Sequence, residues 1–177
     1  MMKKTKYLLS FVLILFFSMN ISLAFAEKIV YIDMDKIMQI SKAGKNAIAK
    51  INDQKKKDVS KFQKIEKELK SREQDLITKK NVISAEEFNT KLETLTKEIN
   101  NYRALRQEAI DLSTKSRLNA SADFAEKIKP ILADYASENN IEMIIQKKNI
   151  IMGKTDLDIT DEILKIVDKK INKLKVN

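Results

Sequence analysis

The chain has 177 residues with 34 basic and 25 acidic side chains, a formal charge of +9, two Gly, one Pro, and neither Cys nor His. Lacking Cys and His, it has no disulfide framework, thiolate nucleophile, common zinc centre or His-dependent hydrolytic constellation, which leaves only carboxylate, Lys or Ser chemistry. Two Gly also exclude a glycine-rich phosphate loop.

The N-terminus has the pattern of an export signal. Lys3, Lys4 and Lys6 precede the apolar run Leu8 to Phe17, and Ala24-Phe25-Ala26 is the small-x-small pattern of a cleavage site. Ser18, Asn20 and Ser22 interrupt the apolar run, which falls short of the ~20 continuous residues of a membrane anchor. Cleavage near Ala26 is therefore expected, giving a mature chain from Glu27 with charge 31 − 25 = +6.

Lys28 to Met34 is a short β-branched apolar run and is expected to be a strand. From Ser41 to about Ser137 the chain is highly charged, with no Gly after Gly44 and no Pro before Pro130. Because Gly and Pro are what ordinarily interrupt helices, their absence predicts very long ones. The segment Ile83-Ser84-Ala85-Glu86-Glu87-Phe88 predicts a turn: Ser84 can cap the Glu87 N–H, Glu87 can reach back, and Ile83 can staple onto Phe88. Residues 41–137 thus form a helical hairpin with its turn near 81–84. Phe62, Ile65, Leu69 and Leu76 on the outgoing limb, and Phe88, Leu92, Leu95, Ile99 and Tyr102 on the returning limb, give a narrow coiled-coil seam. Lys55, Asp58 and Arg72 occupy seam positions where apolar residues are due. A hairpin with so thin a seam projects as an arm stabilised at its root.

Charge is uneven along this arm. Lys42 to Lys70 holds ten Lys against Asp53, Asp58, Glu66 and Glu68, 10 − 4 = +6, which equals the whole mature excess; Ser71 to Lys97 balances at 5 − 5 = 0. Such a run is either a solvated helix face or an attractor of acidic partners, and it admits contact with an anionic membrane surface. Export argues against nucleic acid.

Beyond the arm, Glu142 to Ile145 and Ile150 to Met152 flank a polar Gln146-Lys147-Lys148-Asn149 and are expected to pair as a hairpin, ended by Gly153. Ile163, Leu164, Ile166 and Val167 then mark a last helix, with Asp158 or Thr160 as cap. Residues 27–40 and 138–177 together make a small β body with a C-terminal helix. Three short strands and a helix are too few to stand alone, so the body is expected to be completed by oligomerisation, with Ile29, Val30, Ile32, Met143, Ile144 and Ile145 in a shared core. Asp33 with Asp35, or Asp156 with Asp158, are acidic pairs that suit capping and turns better than acid/base or cation chemistry. No catalytic residue, metal site or cofactor is expected. The fold class is α+β, a long antiparallel helical hairpin on a small β body.

The order of export signal, Ile29-Val30-Tyr31-Ile32-Asp33 strand, Lys/Glu-rich hairpin, Asn140-Ile141-Glu142-Met143-Ile144-Ile145 and Asp158-Ile159-Thr160-Asp161-Glu162-Ile163-Leu164 resembles the OmpH/Skp family of periplasmic chaperones over the whole mature chain. The resemblance implies a periplasmic homotrimer with a small β-barrel body and three helical tentacles, which holds unfolded outer-membrane proteins in a central cavity without ATP. The charge-balanced tip departs from the basic tip of the family's best-known member, so no lipopolysaccharide site is carried over. Client contact is expected from weak apolar and electrostatic contributions, with Val82, Ile83 and Phe88 at the turn and Lys55, Lys56, Lys57 and Lys61 on the outgoing limb. Ile83 and Phe88 also have the staple as an alternative role. A structural or adaptor coiled coil of the cell envelope is the other function class that this composition allows.

Overall fold

The computed structural model describes residues 27–176; the export signal expected over residues 1–26 lies outside them. Strand β1 (Ile29–Ile32) leads through a short helix α1 (Met34–Ile40) into α2 (Lys42–Lys79), which runs outward, and α3 (Ala85–Glu138) returns. Strand β2 (Met143–Gln146), two 3-10 turns (Lys147–Asn149 and Thr155–Leu157) and α4 (Thr160–Lys170) complete the body.

The arm springs from a tight corner. Asp33 caps α1 by accepting from the Lys36 N–H at 2.8 Å. Ser41 then serves two helices at once: its N–H donates to Ile37 O at 2.9 Å, closing α1, and its hydroxyl accepts from the Gly44 N–H at 3.2 Å, opening α2. Ser41 is completely buried. The corner is so close that a Cβ on Gly44 would lie 1.7 Å from Met38 O, which explains one of the chain's two glycines.

At ~1.5 Å per residue the 38 residues of α2 extend about 57 Å. Toward the tip, Leu69, Leu76 and Leu95 are buried between the limbs, with Ile65, Ile83, Phe88, Ile99 and Tyr102 packed against them. Leu92, expected on the seam, is instead exposed. Arg72, which occupies a seam position, is accommodated by a two-pronged pair with Glu98 on the opposite limb, Nη2 to Oε1 at 3.1 Å. At the turn Ser84 accepts from the Glu87 N–H at 3.2 Å. Glu87 pairs forward with Lys91 at 3.4 Å, so only half of the expected reciprocal cap forms.

Helix α3 continues through Pro130 and ends at Glu138. Asn140 adopts φ 51°, and the Ile141 N–H returns to Ala136 O at 2.9 Å, a Schellman ending that turns the chain into β2. β2 pairs with β1 in parallel, from Ile29 opposite Met143 to Ile32 opposite Gln146. The hairpin expected between 142–145 and 150–152 does not form. Lys147–Asn149 coils into a 3-10 turn, and the chain then crosses over Tyr31: Gly153 packs on its ring, the Tyr31 hydroxyl donates to Lys154 O at 3.1 Å, and the Ile159 N–H donates to Tyr31 O at 3.0 Å. Tyr31 thus captures the segment that would otherwise have folded back along β2.

One core joins these parts. Val30 and Ile32 from β1, Ile37, the small Ala43 and Ala47 of α2, Ala120, Phe124 and Ile128 of α3, and Ile163 and Val167 of α4 are buried together. The molecule is α+β, mostly helical, with a two-stranded sheet. Gly44→Ala is expected to destabilise the fold by roughly 2–4 kcal/mol, because the new methyl group meets rigid backbone. Chemical denaturation would read this as a lowered midpoint, whereas an unchanged midpoint would mean the corner relaxes freely.

Candidate functional site

The surface offers three regions with exposed apolar groups. At the tip, Val82 is exposed, while Ile83 and Phe88 are half-buried against the Leu76 and Leu95 cluster, as the staple requires. Of the residues expected to meet a client, Val82 alone presents its apolar side chain fully at the turn.

The second region lies lower on the arm, where the limbs part. A cleft of about 1220 Å³ opens between α2 and α3, with Lys55 and Asp58 on one wall and Leu105, Ala109 and Leu112 on the other. Lys55 and Lys61 line it, whereas Lys56 and Lys57 are exposed on α2 outside it. Leu105, Leu112 and Leu118 on the returning limb are all exposed. Reasoning from the seam did not single these leucines out, although the interruptions at Lys55 and Asp58 were the signal that α3 has no apolar partner there.

The third region is the edge of the body. Alternation along the strands divides the six residues expected in an oligomer core. Val30 and Ile32 are buried in this chain's own core and Ile144 packs against it, while Ile29 and Met143 are exposed side by side in register. Ile145 is half-buried opposite Tyr31. Beyond β2, Ile151 and Met152 are fully exposed.

The loop carrying Ile151 and Met152 is held by a polar node. Lys147 Nζ reaches Asp158 Oδ2 at 2.8 Å and lies 5.7 Å from the Tyr31 ring centre. Asp158 also accepts from the Thr160 N–H at 3.0 Å and from its hydroxyl, and Thr160 Oγ1 accepts from the Asp33 N–H at 2.9 Å. Burial alone would raise the Asp158 pKa, but the hydrogen bonds from Lys147 and Thr160 outweigh it and hold the carboxyl below its ordinary value. Asp33 thus caps α1, while Asp158 anchors the loop to Lys147 and Thr160; the N-cap position of α4 is Ile159, with no side-chain bond. A second acidic anchor secures the C-terminal tail, where Ile171 and Leu174 are buried. Asp123 accepts from Lys127 Nζ at 2.8 Å and from the Lys175 N–H at 2.9 Å, and these bonds, Lys127 foremost, lower its pKa. Lys127 also donates to Lys173 O at 2.7 Å.

No group of three or more potential metal ligands occurs among the described residues, and no helix among them is long and apolar enough to cross a membrane. What the fold defines is a helical-arm protein: a long two-limbed hairpin rooted in a small body, with its unusual surface on the arm and at the body's edge. The chain belongs to the outer membrane protein (OmpH-like) family, whose model matches residues 28–167. The crystal structure of an OmpH-like protein from Caulobacter crescentus CB15, assigned as an outer membrane chaperone, superposes with a TM-score of 0.76 at 14% identity, covering 85% of this chain and 89% of that one. A search of curated proteins found no match.

Both anchoring carboxylates should make the fold acid-sensitive. With folded-state pKa values below the ordinary 3.8, their stabilisation is complete at neutral pH and is lost as pH falls below that value, because the unfolded chain takes up protons first. Asp158→Asn is expected to cost roughly 1–2 kcal/mol at neutral pH. The loss should shrink on acidification toward about pH 3, as followed by thermal melts of both proteins. A constant difference across that range would remove the carboxylate from the account.

Proposed function

We propose that the protein is an ATP-independent periplasmic holdase, a homotrimer whose arms surround unfolded outer-membrane proteins and keep them from aggregating. The observation that carries this reading is an arm far too long for its thin seam, bearing exposed Val82, Leu105, Leu112 and Leu118 beside a limb with a +6 lysine excess. Unfolded barrel strands alternate apolar and polar residues, so a holder needs many weak apolar contacts with attraction that fixes no register. Membership in the OmpH-like family and the likeness to a protein assigned as an outer membrane chaperone support the same reading.

Several arms require several chains. Ile29 and Met143 with Ile151 and Met152 are the apolar groups the body leaves open, and while residues 158–160 cover the β1 edge, the β2 edge pairs with no other described strand and favours pairing with further copies. Val30 and Ile32 hold the single chain together and Ile144 supports them, so the oligomer contact shifts outward from those three to the loop after β2.

Two experiments test this reading. Ile151→Asp with Met152→Asp should reduce the mass in solution while leaving the helical signal intact, because both side chains are solvent-facing in one chain; an unchanged mass by light scattering would place assembly elsewhere. Replacing Gln74 to Leu95 by a short turn should leave the root folded yet abolish suppression of aggregation of a denatured, diluted outer-membrane barrel. Full suppression by that shortened protein would put client holding on the body. A wild type with no effect on such clients but one stoichiometric envelope partner would establish the adaptor class instead.

A further inference from the structure

We propose that the cleft between α2 and α3 is a strand-binding groove, one in each arm, which takes a single extended segment whose apolar residues alternate with acidic ones. The proposal rests on the holdase reading but moves the contact from the tip, and from the space between arms, to the interior of each arm.

The groove has defined ends. At its upper end Phe62 and Tyr102 meet edge to face with ring centres 6.0 Å apart, and the Tyr102 hydroxyl donates to Glu66 at 3.3 Å. At its lower end Arg117 donates to Asn52 at 3.2 Å across the limbs, and the buried Leu174 of the C-terminal tail closes the root. Between Ile51 and Phe62 no residue of α2 is buried, and between Tyr102 and Ala120 no residue of α3 is buried. The physical reason lies in what faces what. Lys55 and Asp58 cannot be stripped of water to pack against Leu105 and Leu112, so the limbs stay apart and Leu112 remains 55% exposed. An occupant supplying its own apolar groups on one side would cover those leucines without burying the charges of α2.

Charge selects the occupant. Seven residues lining the groove are Lys and two, Asp58 and Glu108, are acidic, 7 − 2 = +5. Lys50, Lys55, Lys61 and Lys115 form no ion pair with another described residue. Ser113, Ser116 and Asn119 add hydrogen-bonding groups along the α3 wall. Those groups suit an extended segment, whose backbone N–H and C=O are unpaired, better than a helix, whose backbone is already satisfied. From Ile51 to Phe62 the groove runs roughly 16 Å at the helical rise, the length of about five extended residues. Such a segment sends side chains alternately to opposite sides, apolar ones to the leucines of α3 and carboxylates to the lysines of α2.

The absence of Cys permits a clean test with the full-length arm. The probes are two fluorescent peptides, one alternating Leu with Glu and one alternating Leu with Lys, followed by anisotropy. The Leu/Glu peptide should bind the wild type, and Leu105→Gln with Leu112→Gln should raise its Kd about tenfold, since both side chains are replaced by polar ones of similar size. Lys55→Glu should also weaken it, whereas Ile77→Gln, at an exposed position of α2 near the tip, should leave it unchanged. Ser113→Cys carrying an environment-sensitive dye should change emission with the Leu/Glu peptide and not with the Leu/Lys peptide, which holds the proposal to account even if the double variant misfolds. Equal affinity of wild type and double variant, equal binding of both peptides, or binding of phosphatidylglycerol vesicles in place of the peptide would each overturn it. A wild type that suppresses barrel aggregation yet ignores the Leu/Glu peptide would sink the groove and leave the holdase reading standing; failure of both would sink the two together.

Discussion

Everything in this molecule depends on the root ends of two helical limbs, far apart in sequence, being held at one point. Ile37, Ile128, Ile163 and Val167 have essentially no surface left, and they come from three different helices, α1, α3 and α4, that meet at the root. Fully burying a side chain of this kind contributes about 1.5–3 kcal/mol, whereas the exposed ion pairs scattered along the arm contribute roughly 0.2–1 kcal/mol each. The stability gradient therefore runs from root to tip. Ala43, Ala47 and Ala120 let the limbs approach closely at the bottom, where larger side chains would have forced them apart before the arm began.

The arm was legible in the sequence because it obeys local rules. Missing helix breakers, a Ser84 cap and apolar residues at 3-4-7 spacing each act over a few residues, and the limbs formed where those rules placed them. Leu92 is the exception: it has the right spacing but stands outside the narrow contact stripe. The body was less legible because it is built from long-range contacts. Ile150 to Met152 has the composition of a strand, yet Tyr31, far earlier in the chain, decides its path through one ring, one hydroxyl and one carbonyl. No periodicity records such a capture. The two faces of β1 were likewise confounded, since a β-branched run does not say which side meets its own chain and which meets solvent.

The polar residues at seam positions have two distinct outcomes. Arg72 finds Glu98 across the limbs and the coil closes around the pair. Lys55 and Asp58 face leucines instead, and there the coil opens. The same departure from an apolar seam thus yields a brace near the tip and a cleft near the root, and what decides between them is whether the opposite limb supplies a complementary charge. This is why a count of seam defects does not locate a cavity, while the identity of the facing residues does.

The tail gives the chain an order of assembly. Leu174 and the Lys175 N–H complete the root against α3, and Thr160 binds Asp33, so the body contains groups from both extremes of the described chain. The upper part of the hairpin, by contrast, is made of contacts that close across its own turn and need nothing beyond about Tyr102. A polypeptide that emerges N-terminus first presents α2 and then the turn well before α4 exists, so the arm can coil while β1 still waits for its partners. The apolar faces of α2 and α3 near the tip are then covered early, and residues 171–175, which emerge after α4, act as the bolt that fixes the finished arm to its base.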